Sequence, residues 1–379
     1  MTAARPLIAI GNYDFRASGT VLKSIEIASA AHSAGMAVEL WAIRADGPML
    51  ARIPAGIPVI AAGGGLKAAS RAQDLALNIP ALARTIRTRR PTLFLSGGNH
   101  FHLPARAALA LSGRRKTSRL LLRVSNSSHE GKRNGFLNRW DQKLKYGGSQ
   151  SIVAVSQELA GELTQLGMNI PIHCIPNGVD VAKLRRMSEA PFEHPFLRDR
   201  ENGHPVLVSM GRLSRQKGFD IALRGFAQLC HDPLPRLFII GTGPSRIKES
   251  LLALARDLKI ADRVDFLGYQ DNPAAILSRC DLFISASRWE GASNALIEAL
   301  ACGLPLVATD CPTGNREIVT HGPYGRLVPV EDAAALAAAV EAELRHPRAR
   351  DRQRAGAENW RLENCMAAWV QRLQIENRQ

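Results

Sequence analysis

The segment EGASNALIE at 290–298 places two carboxylates, Glu290 and Glu298, where an apolar strand leads into a helix. Ser293 or Asn294 can cap that helix, which leaves Glu290 in the loop before it and Glu298 about one turn inside. Both carboxylates then lie beside a helix N-terminus, whose free N–H groups attract phosphate, and their oxygens can accept hydrogen bonds from sugar hydroxyls. Two glutamates at this spacing also occur on ordinary solvated helices, so the spacing alone leaves both interpretations open.

A second segment, GRLSRQKG at 211–218, carries cations in a loop that is bounded by glycines and follows an apolar strand. Glycine lets the backbone approach a ligand, and two cations such as Arg212 and Lys217 can meet one diphosphate. When a bond to a leaving diphosphate breaks, negative charge grows on it, so cations already in place stabilise the transition state more than the ground state. The alternative is a solvated basic turn, which is what we expect of Arg215 in the same loop.

The segment Gly241-Thr242-Gly243 follows a further strand and opens a helix. Arg246 stands where the dinucleotide fingerprint GxGxxG has its last glycine, so that fingerprint is incomplete. Close approach of a nucleotide and a merely tight turn therefore both remain possible interpretations.

These segments, together with ALACGLPLVA at 299–308, resemble the retaining glycosyltransferases of the GT-B fold, family 4 (glycosyltransferase group 1), whose signature is two glutamates separated by seven residues. VDFLG at 264–268 and TGNRE at 313–317 extend the resemblance, which runs almost continuously from residue 206 to about residue 344. The first half of the chain matches the family only in its pattern of strands and helices.

The resemblance implies roles for individual residues. Glu290 is expected to contact the donor sugar, while Arg212 and Lys217 hold the donor diphosphate, which makes these three the expected catalytic residues. The expected donor and nucleotide contacts are Gly19, Gly211, Gly241, Gly243, Ser293, Asn294 and Glu298, the last at the ribose. The chain contains no Asp-x-Asp, so the metal-bound diphosphate of the other main glycosyltransferase fold has no obvious ligands; we expect metal-independent binding and no cofactor.

Candidates in the first half are placed by the order of strands and loops. Gly19 lies in the loop between the first strand and the first helix, where this fold presents backbone to donor and acceptor, and Arg16 is a candidate contact for an anionic acceptor. Asn126 and His129 follow a later strand, at an end expected to face a cleft, and family members often have a histidine near here against the donor sugar. An ordinary turn and a surface histidine are the alternatives.

The net charge of +15 is concentrated in the first half of the chain. Residues 1–200 contain 27 lysines and arginines against 13 acidic residues, while the remainder contains 22 against 21. Residues 84–145 alone hold 15 basic residues and two acidic ones. Such a field favours an anionic partner, which we expect to be a membrane surface or an acidic acceptor, the alternative being a solvated basic face. Nucleic acid is not expected, because few aromatic residues lie among these cations.

Short apolar, β-branched runs alternate with helical stretches along the whole chain, which is typical of repeated βα units around a parallel sheet. We predict an α/β protein of the GT-B type, with two Rossmann-like domains facing across a cleft. The predicted divisions are an acceptor-side domain at 1–190, a linker at 191–205, a nucleotide-sugar domain at 206–350 and a helical tail at 351–379. Within the tail, residues 355–375 are amphipathic and predict one helix that packs back on the domains.

The composition of the 379 residues fits a globular protein of two or three domains, with 46% hydrophobic residues and no apolar run long enough to span a bilayer. The six cysteines are scattered without CxxC spacing, which is typical of reduced thiols. We therefore expect a cytoplasmic protein, peripheral on the inner face of the membrane through its basic first half.

The function predicted from the sequence is transfer of a sugar, with retention of anomeric configuration, from a nucleotide-sugar donor to a lipid-linked or surface-polysaccharide acceptor. UDP-sugars are favoured by their frequency in the family, with GDP-mannose second. A non-catalytic sugar-nucleotide-binding protein would have the same pocket and is the alternative.

Overall fold

A computed structural model describes residues 6–127 and 142–378 of the chain, which divide into two compact units. Unit 1 comprises Met1–Asn177 together with Glu363–Gln379, and unit 2 comprises Gly178–Leu362. The chain therefore passes between the units twice, and the two passages are joined by backbone hydrogen bonds of Val179 with Trp360 and Leu362, each 2.9 Å long.

In the described part of unit 1, seven parallel strands form a sheet of order β3-β2-β1-β4-β5-β6-β7. The strands are β1 Leu7–Asn12, β2 Ala37–Ala42, β3 Val59–Ala61, β4 Leu93–Ser96, β5 Arg119–Val124, β6 Ser151–Ala154 and β7 Ile172–Cys174. The helices are α1 Gly19–Ser33, α2 Arg71–Leu77, α3 Ile79–Arg89, α4 His102–Leu111 and α5 Gln157–Thr164. The sequence pattern predicts six of these strands and misses β3, which is short and has two exposed residues.

Unit 2 is built on a six-stranded parallel sheet of order β10-β9-β8-β11-β12-β13. Its strands are β8 Val206–Met210, β9 Arg236–Ile240, β10 Val264–Gly268, β11 Leu282–Ser285, β12 Leu306–Thr309 and β13 Gly325–Val328. Its helices are α6 Val181–Ser188, α7 Pro195–Glu201, α8 Phe219–Ala227, α9 Ser245–Asp257, α10 Pro273–Leu277, α11 Asn294–Ala301, α12 Asn315–Thr320, α13 Ala333–Arg345 and α14 Arg350–Gly356. Two Rossmann-like domains with parallel sheets confirm the predicted α/β fold class.

Both sheets have a switch point at their first strand. In unit 1, β1 pairs with β2 on one side and β4 on the other, and in unit 2, β8 lies between β9 and β11. Helices leave the sheet in opposite directions on the two sides of such a strand, so the loops there diverge and open a crevice at the carboxyl ends of the strands. In unit 2, Arg212, Lys217, Gly241 and Glu290 lie in these loops.

The predicted linker, 191–205, differs from the division that the structure shows. This stretch contains helix α7, and Phe192, Phe196 and Leu197 pack on the hydrophobic core of unit 2. Aromatic burial makes the segment part of unit 2, so the first unit boundary falls earlier, after Asn177. Proline and charge content, from which the linker was predicted, did not reveal this packing.

The single helix predicted over 355–375 is wrong. After α14, a 3₁₀ turn at Ala357–Trp360 ends the first helical part, and α15, Leu362–Arg378, begins after Arg361. The break exists because Trp360 packs in the core of unit 2 while Trp369 is buried in unit 1.

Helix α15 is held on unit 1 by a buried carboxylate. Glu376, 3% exposed, accepts hydrogen bonds from Arg119 Nη2 at 2.9 Å and from Ser151 Oγ at 2.5 Å. A buried charge is tolerated only with such partners, so these contacts fix the C-terminal helix to the first residues of β5 and β6. No helix in the described ranges is long and apolar enough to cross a membrane.

Candidate functional site

The loops that follow β8 and β11 are packed directly on each other in unit 2. Gly218 has φ +61°, and a Cβ atom placed there would lie 1.9 Å from the carbonyl oxygen of Ala286, so only glycine fits. The backbone N–H of Arg288 donates to the carbonyl of Gln216 at 2.7 Å, and the Gln216 amide donates to the carbonyl of Trp289 at 2.9 Å. These contacts fix the two loops as one rigid surface.

The central contact of this surface is an ion pair between Lys217 and Glu290. Lys217 Nζ lies 2.5 Å from Glu290 Oε1, and Ser287 Oγ donates to the same carboxylate oxygen at 2.7 Å. Glu290 is 5% exposed, while the Lys217 side chain is 20% exposed. Both contacts use Oε1, so in the described chain the second oxygen, Oε2, retains its capacity to accept hydrogen bonds.

Polar residues at or just after the ends of β11 and β12 hold the backbone around Glu290 by hydrogen bonds. Thr313 Oγ1 donates to the Glu290 carbonyl, and Thr309 Oγ1 donates to the Ser287 carbonyl at 2.5 Å. The Asn315 amide in turn donates to the Thr309 carbonyl at 3.0 Å. All four residues around Glu290 are buried, which locks the position of its carboxylate. Sequence reasoning missed these supports, although their polar side chains at strand ends were a usable signal.

Gly241 and Gly243 are required for packing between loops. A Cβ atom on Gly241 would lie 1.9 Å from the Gly211 carbonyl oxygen, and one on Gly243 would lie 2.2 Å from the Leu213 carbonyl oxygen. Gly211, Gly241 and Gly243 therefore allow the ends of β8 and β9 to pack together. This packing explains the glycines as a tight structural turn. Their contact with a nucleotide stays a prediction.

The N-terminus of α11 contains buried polar atoms without partners. Ser293 occupies the capping position, but no side chain caps the helix, so the predicted cap by Ser293 or Asn294 is wrong. Ser293 Oγ, Asn294 Oδ1 and Trp289 Nε1 are all buried and have no hydrogen-bond partner among the described residues. Since buried polar atoms are nearly always satisfied, these atoms are available to a ligand or to water at this helix end.

The remaining candidates of unit 2 are more exposed. Arg212 is exposed, and its side chain forms no hydrogen bond or ion pair within the described chain. Glu298 lies half-buried in the second turn of α11, where its negative charge adds to burial in raising the pKa of Cys302 to about 12. Arg215 is exposed, as expected. The structure thus joins Lys217 with Glu290 and leaves Arg212 free to move.

Each described candidate of unit 1 has its own local contacts. Gly19 begins α1, whose N-cap Ser18 accepts a hydrogen bond from the Val21 N–H at 3.3 Å. Arg16 pairs with Asp14 at 2.9 Å and is 72% exposed. The Asn126 carbonyl accepts from the Asn99 amide at 3.0 Å, and Asn126 Oδ1 is buried without a partner in the described chain. His129 lies outside the described residues.

No group of three or more His, Cys, Asp or Glu side chains in residues 6–127 and 142–378 is arranged to hold a metal ion. All six cysteines are free thiols. Burial raises the pKa of Cys311 strongly, and the nearby carboxylate of Glu290 adds to this effect. Cys311 is therefore a neutral thiol beside the ion pair and offers no nucleophile there.

Comparison with known proteins places both units in one family. Residues 204–346 match the family described as "Glycosyl transferases group 1", and residues 23–183 match the one described as "Glycosyltransferase Family 4". The two matches cover most of the chain, including the basic first half.

Two relatives are each 30% identical to this chain over the aligned residues. One is the N-acetylgalactosamine-N,N'-diacetylbacillosaminyl-diphospho-undecaprenol 4-alpha-N-acetylgalactosaminyltransferase of Campylobacter jejuni, 30% identical over 68% of this chain and 67% of its own length. The other is the lipopolysaccharide core biosynthesis glycosyltransferase LpsE of Rhizobium meliloti, 30% identical over 50% of this chain and 52% of its own length. The matched segments thus span about half to two thirds of these relatives.

The fold is also that of solved glycosyltransferase structures. HepE of Anabaena, solved with UDP and glucose, superposes with a TM-score of 0.78 at 19% identity, covering 97% of this chain and 99% of that one. The likeness establishes the GT-B fold.

The Ser287 hydrogen bond to Glu290 can be tested by its effect on stability. Ser287→Ala removes a donor from a buried carboxylate, so we expect the free energy of unfolding of unit 2 to fall by about 1 to 3 kcal/mol in urea titrations. Ser285→Ala is the matched control, because among the described residues its buried hydroxyl shares a hydrogen bond only with Ser287 Oγ, at 3.4 Å, and none with the carboxylate. Equal losses in both variants would show that the hydrogen bond from Ser287 to Glu290 contributes no more than the neutral contact between the two hydroxyls.

Proposed function

Because the chain belongs to glycosyltransferase family 4 and has the GT-B fold, we propose that it is an enzyme that transfers a sugar from a nucleotide-sugar donor, with retention of anomeric configuration. The observation that carries the proposal is the Lys217–Glu290 ion pair at the carboxyl ends of β8 and β11. It holds a cation for the diphosphate and a carboxylate for the sugar side by side, at the switch point where open α/β sheets bind ligands.

Lys217 and Arg212 stabilise the leaving diphosphate in this proposal. Lys217 is fixed by its ion pair, whereas the exposed Arg212 can swing onto the second phosphate. Both act without transferring a proton, since the charge that they neutralise develops on the phosphate oxygens. Protein cations thereby supply the charge stabilisation, and we propose that the transfer is metal-independent.

Glu290 orients the donor sugar through its Oε2 oxygen, because Oε1 is occupied by Ser287 and Lys217. The unpartnered Ser293 Oγ and Asn294 Oδ1 lie at the α11 N-terminus, which suits hydrogen bonds from the donor and attraction of its phosphates. Glu298, farther along the same helix, binds the ribose hydroxyls. The glycines at 19, 211, 241 and 243 complete the proposed donor contacts by allowing close approach of backbone.

The donor is proposed to be a UDP-sugar, with GDP-mannose second. The UDP bound to HepE supports this choice. The acceptor is proposed to be lipid-linked or a growing surface polysaccharide, which is supported by the diphospho-undecaprenol acceptor in the name of the Campylobacter jejuni relative and by the lipopolysaccharide role of LpsE. Arg16, Asn126 and His129 remain proposed contacts on the acceptor or sugar side.

The alternative is a non-catalytic protein that binds sugar nucleotides in the same pocket. Thermal-shift screening of nucleotide sugars identifies the ligand in either case, since a ligand at about 100 times its Kd adds about 2.7 kcal/mol to stability. Release of free sugar from the identified donor then separates the two, because a transferase also transfers slowly to water. A ligand that binds and is never hydrolysed or transferred would favour the alternative.

A surface of unit 1 supports a proposed location on the inner face of the cytoplasmic membrane. Arg87 joins α3 to the end of α4 through the Leu111 carbonyl at 3.0 Å, and Arg106 contacts the carbonyl of Leu144. The segments to which these residues belong carry exposed cations and exposed leucines, a combination suited to an anionic bilayer surface. This basic surface consists of Arg87, Leu103, Leu111, Arg115, Lys116, Lys143 and Leu144.

Removal of the cations at the diphosphate tests the proposed leaving-group role. Lys217→Ala and Arg212→Ala should each lower kcat by roughly a hundredfold to a thousandfold at saturating donor, the cost of one preorganised charge-stabilising group. Arg215→Ala is the matched control, since Arg215 is an exposed arginine of the same loop like Arg212. It should retain wild-type kcat, because the proposal gives Arg215 no contact with the diphosphate. A variant at Lys217 or Arg212 that kept more than half of kcat would contradict the role of that residue.

The two glutamates should separate nucleotide binding from sugar binding. In calorimetry with free UDP or GDP, Glu298→Ala should weaken binding by about 1.5 to 3 kcal/mol, the contribution of a hydrogen bond to a charged group. Glu290→Ala should bind the free nucleotide nearly as the wild type does, yet fail in transfer, because its partner is the sugar. Equal losses of nucleotide affinity in both variants would reject this division.

Charge reversal tests the membrane proposal. Changing Arg115, Lys116 and Lys143 to Glu should weaken binding to anionic vesicles by at least about 3 kcal/mol, since each cation near such a surface contributes about 1 kcal/mol. Transfer to a soluble acceptor analogue should persist. As a control of equal charge, the exposed Arg224, Lys248 and Arg256 of unit 2 changed to Glu should leave vesicle binding unchanged. Equal wild-type binding to neutral and anionic vesicles would contradict the proposal.

A further inference from the structure

The carboxyl edge of the unit 1 sheet carries an arginine that the proposed donor chemistry does not use. Arg71, the first residue of α2, is exposed, and its guanidinium carbon lies 4.5 Å from the centre of the Tyr13 ring. Tyr13 directly follows β1 and is 9% exposed. Its hydroxyl donates to Asp74 Oδ2 at 2.8 Å. The ring beside Arg71 is therefore held by the backbone on one side and by this hydrogen bond on the other.

Asp74 does not neutralise Arg71, because its carboxylate already pairs with Arg44. Its carboxylate, 2% exposed, accepts from Arg44 Nε at 3.0 Å and from the Ala68 N–H at 3.1 Å, besides the Tyr13 hydroxyl. The Arg44 hydrogen bonds hold the pKa of Asp74 at about 2, so this carboxylate stays charged and paired with Arg44 at physiological pH. Within the described ranges, Arg71 has no carboxylate partner.

A stacked guanidinium retains its ability to bind an anion. Stacking uses the flat face of the guanidinium group. Its N–H donors lie in the plane of the group and can bind two phosphate oxygens at once. The aromatic ring reduces the side-chain freedom that Arg71 loses when it binds, so less of the binding energy is spent on ordering it. The Tyr13–Asp74–Arg44 contacts thus prepare an oriented cation with free donors.

The position of this cation on the fold is suited to a ligand. Tyr13 follows the switch-point strand β1, Arg44 follows β2 and Arg71 follows β3, so the three side chains meet at the carboxyl edge of the sheet. Lys67, exposed in the loop before α2, adds positive charge on the same edge, whereas the charge of Arg16 in the loop after β1 is paired with Asp14. Open α/β sheets bind ligands at this edge.

We propose that Arg71, supported by Tyr13, binds the phosphate of the acceptor and makes unit 1 selective for acceptors that carry a phosphate or diphosphate. This inference rests on the proposed transferase function. A phospholipid headgroup presents the same chemistry, so the experiments below compare the two sources.

Binding of inorganic pyrophosphate tests the site without any transfer reaction. With UDP saturating the donor site of unit 2, calorimetry of the full chain should show pyrophosphate binding that Arg71→Gln weakens roughly tenfold to hundredfold, the loss expected for charge-assisted hydrogen bonds. Arg90→Gln, at an exposed arginine that precedes β4, removes the same charge and should bind as the wild type does. Equal affinity of Arg71→Gln and wild type would overturn the proposal.

Variants of Tyr13 test whether its ring positions Arg71. Tyr13→Phe retains the ring and should keep pyrophosphate affinity within about threefold, whereas Tyr13→Leu removes the stacking face and should approach the Arg71→Gln value. Equal affinities of the Phe and Leu variants, both verified as folded by circular dichroism, would show that the ring does not position Arg71.

Kinetics then identifies the source of the phosphate. For an acceptor that carries a diphosphate, Arg71→Gln should raise the acceptor KM roughly tenfold or more while the donor KM stays constant. For the same acceptor without its diphosphate, the variant and the wild type should have equal acceptor KM. Binding to anionic vesicles should not change in Arg71→Gln; a loss there with unchanged acceptor KM would assign the site to a headgroup and overturn the acceptor role. If no donor is ever turned over, the proposed function fails, while the pyrophosphate result still decides whether the site exists.

Discussion

The ion pair of Lys217 with Glu290 is the contact on which the arrangement of unit 2 depends. A carboxylate that is 5% exposed is costly to bury unless it has a counter-charge and hydrogen bonds, and here both reach the same oxygen. The partners come from loops that are far apart in the sequence, so the loops must approach within van der Waals contact. Gly218 permits that approach, because a Cβ atom on it would overlap the carbonyl oxygen of Ala286. Gly218, Ser287 and the two threonines all serve to hold this one buried charge in place.

This pair also connects binding with chemistry in the proposed reaction. Ser287 holds the carboxylate of Glu290 and Thr313 holds its backbone carbonyl whether or not Lys217 contacts the residue, so Lys217 can share its charge with an arriving diphosphate without releasing Glu290. A group that is already in place requires no reorganisation when charge develops on the leaving phosphate, which is the condition for large electrostatic stabilisation. Arg212, exposed and without partners in the described chain, can adapt to the phosphate position where Lys217 cannot.

The sequence predicts those features whose cause is local. Apolar β-branched runs identify nearly all strands of both sheets, and the order of short segments around Glu290 identifies the family. Features that depend on distant packing were not predicted. Phe196 packs against the core of unit 2 and Trp360 lies in it, which moves the unit boundary and breaks the tail helix. The positions of Ser287 and Thr313 depend on which strands lie side by side. The expected cap of α11 failed for a related reason, since polar atoms at that helix end are left unpaired. Such atoms are suited to a ligand.

The two units also differ in how strongly their sequences are constrained. In unit 2, a substitution at Gly218 or Ser287 would disturb a buried charge, so these residues are fixed by stability as well as by the proposed chemistry. In unit 1, Arg71 rests on Tyr13 and is exposed, and a different side chain there would leave the Asp74–Arg44 pair intact. Proposed acceptor contacts of this kind can change without loss of the fold. A chain built in this way can keep its proposed donor site while its acceptor changes.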